Sequence, residues 1–243
     1  MNDPVPVNKN AALSVSMLFS RLLLFAFFQA GIALVLHSWA KSQKYWLLTA
    51  TLTNVVSIVL LVALLKREGV KYLSLFRFNK NLFKKDLAIF SGLVLLSVPL
   101  IMAPPYLLSL WLWGDGVYYS KILFQPIPIS LIVFLLIAFP VSISLAELVT
   151  YFGYIMPRLQ SNIGIKWLAV LLPVVFLSIQ HCTLPLVFDY KFIFLRGFMY
   201  LPFALMLGIA LHKRPSLLPY LAILHGLFDA GTVVMLLYYT GKI

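Results

Sequence analysis

Cysteine and acidic residues are scarce in this chain of 243 residues: one Cys and seven Asp or Glu, against nineteen Lys or Arg. A lone cysteine, Cys182, excludes an internal disulfide and any cysteine-built metal cluster. Charge of either sign is thin, at 11% of residues, while 62% are hydrophobic; soluble domains run near 25% and 45–50% respectively. An ordinary soluble globular domain is thereby excluded. Three catalytic signatures are also missing: HExxH for a zinc peptidase helix, GxSG for a serine on a tight turn, and GxGD for a paired-aspartate protease.

What the chain has instead is long apolar runs, at 13–37, 45–65, 87–113, 127–156, 166–185, 192–212 and 216–240. Each is long enough to cross a hydrocarbon layer of about 30 Å at about 1.5 Å per residue. The expected fold is an all-α, polytopic membrane bundle of about seven spans, between six and eight, forming one transmembrane domain over 1–243. In the run 127–156, Pro140 removes a backbone donor midway, which predicts a kink or two shorter helices. The N-terminal MNDPVPVNKNAALSVSM has an acid before its first Lys, and the run that follows is too long for a signal-peptide core. It is expected to remain as a span.

A net charge of +12 would suggest nucleic acid in a soluble protein, but here the basic residues sit between apolar runs, so no nucleic-acid partner is expected. Lys9, seven residues in 66–86, Arg158 with Lys166, and Lys213 with Arg214 place twelve on one side. Lys41, Lys44, Lys121, Lys191 and Lys242 place five on the other. The positive-inside rule puts the N-terminus in the cytoplasm. The segment 66–86, KREGVKYLSLFRFNKNLFKKD, reads chiefly as a solvated topology determinant, and its alternation of basic and apolar residues would also suit a helix in the headgroup layer. Trp111, Trp113, Tyr118 and Tyr119, with Tyr238 and Tyr239, read as an outer aromatic belt, and Asp189 with Arg196 as interfacial anchors.

Glu147 lies in the run LAELVTYFGYIMPRL with no charge partner nearby in sequence, and Asp229, His181 and His225 are likewise interior. Counting from the cytoplasmic ends, Glu147 falls about 16 Å deep, His181 about 22 Å, His225 about 14 Å and Asp229 about 20 Å. All four therefore occupy one middle layer. His225 and Asp229 are i and i+4, so the carboxylate can orient the imidazole. Polar groups at this depth mark sites or pathways, although a single His is often a structural bond between helices. Cys182 is a neighbour of His181 on a helix, points elsewhere and reads as packing.

Three stretches resemble the motifs of the CPBP intramembrane endopeptidases, the CAAX protease and bacteriocin-processing family. ELVTYFGYIMPRL, 147–159, is similar to EExxxxRGYLxPRL in its shorter form with three residues before the Arg, with Gly153, Tyr154, Pro157, Arg158 and Leu159 setting the register and Glu147 on the first Glu. LSIQHCTLP supplies the His of FxxxH as His181, with Leu177 in the Phe position, and HGLFD supplies HxxxD as His225 and Asp229. Leu148 and Phe152 stand where the family has its second Glu and its Arg.

The resemblance implies a catalytic core at 145–230 and a cavity reached from the cytoplasm or laterally from lipid. Glu147 would be the general base on a water, His181 would help hold that water, and His225 with Asp229 would stabilise an oxyanion. The implied substrate is a membrane-associated peptide or protein, of CAAX or leader-peptide type. A metal-free mechanism is favoured, with zinc on Glu147, His181 and His225 as the alternative. The competing functions are an inactive relative serving as scaffold or immunity factor, for which Leu148 and Phe152 argue, and a transporter with a midplane polar site.

Overall fold

The computed structural model describes residues 11–241, and Lys9 and Lys242 of the charge balance lie outside them. Among the described residues there are only helices and their connections: α1 (Ala11–Val35), α2 (Trp39–Gln43), α3 (Trp46–Arg67), α4 (Phe83–Trp113), α5 (Tyr118–Leu123), α6 (Ile129–Leu148), α7 (Met156–Asn162), α8 (Lys166–Ile179), α9 (Tyr190–Phe198), α10 (Leu201–Lys213) and α11 (Leu218–Tyr239). Among the described residues, six stretches are long and apolar enough to cross a membrane: Ala12–Val35, Trp46–Arg67, Phe83–Trp113, Ile129–Asn162, Tyr190–Lys213 and Pro215–Tyr239. The fold is an all-α polytopic bundle. The remaining apolar run forms the shorter helix Lys166–Cys182, about 25 Å at 1.5 Å per residue.

Pro140 does not divide its run. α6 continues through it, and Ser144 Oγ donates to the Pro140 carbonyl at 2.8 Å. The irregularity comes more than two turns later, where Val149–Ile155 forms a π-helical stretch before α7. Pro157 has no N–H for the carbonyl of Gly153, and the Met156 N–H reaches back five residues to Tyr151 instead of four. The Gly-Tyr-x-x-Pro sequence thus widens the helix directly beyond Glu147.

Loop contacts sort the connections onto two faces. Arg158 pairs with Glu68, Arg214 pairs with Asp86, and Gln160 meets His212 at 2.7 Å, which gathers 66–86, 157–166 and 212–217 at one end of the bundle. At the other, Trp39 Nε1 donates to the Leu186 carbonyl at 3.1 Å, Lys191 to Leu112 at 2.9 Å, and Phe124 stacks on Tyr239 at 5.2 Å. α8 runs from the first end to the turn Gln180–Cys182, and the connection 183–189 continues to the second. These are the two sets of loops separated by the Lys and Arg count, and Trp113 and Tyr118 of the aromatic belt stack together on the second.

Two sequence expectations are corrected. No α-helix spans 66–86: Gly69, at φ 73°, closes α3 in a left-handed turn, and only the short 3-10 helix Tyr72–Phe76 follows. The Tyr72 hydroxyl is drawn into the bundle to bond the Leu145 carbonyl. Arg196 is not an interfacial anchor, being 1% exposed and bonded to the carbonyls of His181 and Leu184. It fixes the turn on which His181 stands. Asp189 instead caps α9 by accepting from the Phe192 N–H at 2.9 Å.

Candidate functional site

The buried apolar residues form two clusters, one toward each end of the bundle. Five elements run from one to the other, and each carries a polar residue at the crossing. In α1 it is Arg21, between Leu18 and Phe25; in α3, Asn54 and Ser57, between Ala50 and Leu61; in α6, Glu147, between Ile143 and Leu148. After α8 come Gln180 and His181, between Leu177 and Leu184, and in α11 His225 and Asp229, between Leu224 and Val233. The polar residues therefore form a layer between two greasy ones.

Within that layer Glu147 has a charge partner after all, drawn from the far end of the chain. Arg21 Nη2 lies 3.1 Å from Glu147 Oε2, and both side chains are almost fully buried. Gln180 Nε2 donates to the same oxygen at 2.8 Å. The guanidinium also donates to three neutral acceptors: Gln180 Oε1 at 2.9 Å, Asn54 Oδ1 at 2.9 Å and Ser57 Oγ at 3.3 Å. The Tyr151 hydroxyl, on the π-helical stretch, donates to Gln180 at 3.2 Å, and Asn54 donates to Ser142 at 3.1 Å. An ion pair this deep is tolerated only when its remaining donors and acceptors are met, and this one is met on the Oε2 side.

The Oε1 side differs. His225 Nε2 lies 2.9 Å from Glu147 Oε1 and 3.4 Å from Asp229 Oδ2, between the two carboxylates and aligned with neither. Glu147 Oε1, His225 Nδ1 and Asp229 Oδ2 are all buried without a hydrogen-bond partner among the described residues. Three orphaned polar atoms in one place require an explanation, because buried polar atoms are nearly always bonded. The side chains of His225 and Asp229 keep 14% and 19% exposure, so this corner is not sealed. The Phe203 ring lies parallel to the imidazole at 6.2 Å and forms one wall.

The close fit of α11 against α6 depends on Gly226. A Cβ there would stand 1.9 Å from Ser144 Oγ and 2.8 Å from the Pro140 carbonyl oxygen. The second obstacle is backbone and cannot rotate away. Gly226 thus brings His225 to Glu147, as small residues do wherever membrane helices approach closely.

His181 stands on the 3-10 turn Gln180–Cys182, with its ring 4.8 Å from that of Tyr200. Its Nδ1 is 3.1 Å from the Ser178 carbonyl, which can only accept, so Nδ1 carries the proton and Nε2 is left as the acceptor. It lies within electrostatic reach of Glu147 and His225. The zinc set does not assemble: among the described residues no group of three His, Cys, Asp or Glu side chains is placed to hold a metal ion. Arg21 and Gln180 already occupy Glu147 Oε2, and the guanidinium would repel a cation there.

The structure therefore joins Glu147, His225 and Asp229 directly and sets His181 beside them. Arg21, Gln180, Asn54 and Tyr151 were not singled out by sequence. Arg21 carried a signal, a charge inside an apolar run; the three neutral residues carried none. Leu148 and Phe152 are 1% and 3% exposed and belong to an apolar cluster, with Phe152 facing Gly208 of α10. Fold and site define a polytopic α-helical membrane protein with a buried ionisable cluster at mid-depth. Comparison of the chain with protein-family models, with curated proteins and with solved structures finds no match.

Proposed function

We propose that the chain is an intramembrane endopeptidase of CPBP type, with Glu147 as general base. The observation that carries the reading is the set of three orphaned atoms, Glu147 Oε1, His225 Nδ1 and Asp229 Oδ2, beside a carboxylate whose other oxygen is anchored. Arg21 and Gln180 orient the carboxylate so that Oε1 takes a proton from the attacking water. His181 Nε2, an acceptor, helps position that water. His225, held between two carboxylates, donates to the oxyanion that develops on the peptide carbonyl. The cationic role that the family assigns to an arginine at position 152 falls to Arg21, which reaches Glu147 from α1. The substrate is a membrane-associated peptide or protein entering by the partly open corner at His225 and Asp229. The basic end of the bundle faces the cytoplasm, with the N-terminus on that side.

A second reading, an inactive relative that binds a membrane partner, is favoured by one observation. The Arg21, Gln180, Asn54 and Tyr151 network is complete enough to be a purely structural polar layer. Purified protein incubated with membrane-tethered peptides separates the two. Cleavage that is lost in His181→Ala and His225→Ala, but survives a chelator, supports the protease. No cleavage of any peptide by a wild-type protein that unfolds cooperatively supports the inactive binder.

A further inference from the structure

A cleft between α4 and α10 lies away from the polar layer, on the lipid-facing side of the bundle. It has a volume of about 700 Å³. Its walls are apolar, with Leu93, Leu96 and Leu100 from α4 and Leu205, Met206 and Ile209 from α10. From Ile89 to Leu100 on one helix and from Pro202 to Lys213 on the other, it runs about 16 Å at 1.5 Å per residue. One end is cationic, where Lys213 and Arg214 complete the lining.

That end carries more positive charge than its own acids neutralise. Asp86 engages Arg214 through Nε and also accepts from Ser216 Oγ. Lys213 is exposed and has no partner among the described residues, and Lys84 and Lys85, which precede Asp86 in sequence, are exposed as well. The remainder of the cleft lies against the hydrocarbon layer. α4 is the least buried of the six long helices, and its neighbouring side chains Leu95 and Met102 are 76% and 68% exposed.

We infer that this cleft is a binding site for one anionic phospholipid, with its phosphate on Lys213 and Arg214 and an acyl chain along α4 and α10. The direction suits the arrangement: the cationic end coincides with the basic loop face, where headgroups of that leaflet lie, and the apolar walls lead inward from it. An apolar cleft alone would take any acyl chain. The unpaired Lys213 makes the site selective for a negative headgroup. The inference is independent of whether Glu147 hydrolyses peptides.

The test is thermal unfolding of the purified full chain in a neutral detergent, titrated with phosphatidylglycerol or with phosphatidylcholine of the same acyl chains. Phosphatidylglycerol is expected to raise the Tm in a saturable manner, as a ligand of the folded state does, with phosphatidylcholine giving little. Lys213→Gln is expected to weaken that response by about fivefold. Ile209→Trp, which fills the cleft and leaves the charges in place, is expected to abolish it while the Tm without lipid is kept. Equal responses to the two lipids, an unchanged response in Lys213→Gln, or the same shift from inorganic phosphate would overturn the assignment.

Discussion

Glu147 and Arg21 are separated by 126 residues of sequence and meet at 3.1 Å with almost no solvent access. Removing either alone leaves the other charge uncompensated in a low-dielectric interior, at a cost of about 3–5 kcal/mol. Arg21→Met and Glu147→Gln are therefore each expected to lower unfolding stability in detergent by that order. The double variant should recover much of the loss, because neither charge is then stranded. Additive losses in this double-mutant cycle would contradict a direct pairing. The same residues show what sequence could convey. His225 and Asp229 were legible together because i and i+4 share a helix face. Glu147 was legible as a buried charge, but its partner was not, since nothing local connects α1 to α6.

Among the elements, α6 and α11 set the geometry of the site, and Gly226 sets their separation. Gly226→Ala is expected to force the helices apart, destabilise the protein by about 1–3 kcal/mol as overpacking does, and weaken any peptide cleavage more than stability. Ala in place of the exposed Gly92 or Gly231, where a Cβ meets nothing within 4 Å, is the control expected to be neutral or stabilising. The helices themselves were legible because every apolar run had the length of a span or nearly so. The π-helical stretch was not, because Pro157 perturbs the hydrogen-bond ladder upstream of itself, whereas the sequence drew attention to Pro140, whose surroundings absorb it. The segment 66–86 is the basic connection between spans that its charge indicated, and only the lesser reading, a helix in the headgroup layer, fails. Its alternating basic and apolar residues describe a surface helix, but Gly69 and the tie from Tyr72 to Leu145 make it a short cover over the basic end.

For the whole molecule, the positions of the loops follow the charge count made from sequence alone, and Arg158, Arg214 and His212 now link the loops of one face by direct contacts. In a Cys182→Ala background, cysteines placed at Lys80 and Lys166 are expected to label from the cytoplasmic side, and those at Lys44 and Lys121 only from the opposite side. Labelling of Lys80 and Lys166 positions from different sides would break the two-faced arrangement; labelling of both from outside would invert it. The account centres on a water activated by Glu147. The most direct test is hydrolysis of a membrane-tethered peptide in ¹⁸O-water by the wild type, by Glu147→Gln, and by Arg21→Met/Glu147→Gln as the variant without a stranded charge. The account predicts one ¹⁸O in the new carboxylate with wild type and no product with either variant while both remain folded. Product from a folded variant lacking the Glu147 carboxylate would contradict it.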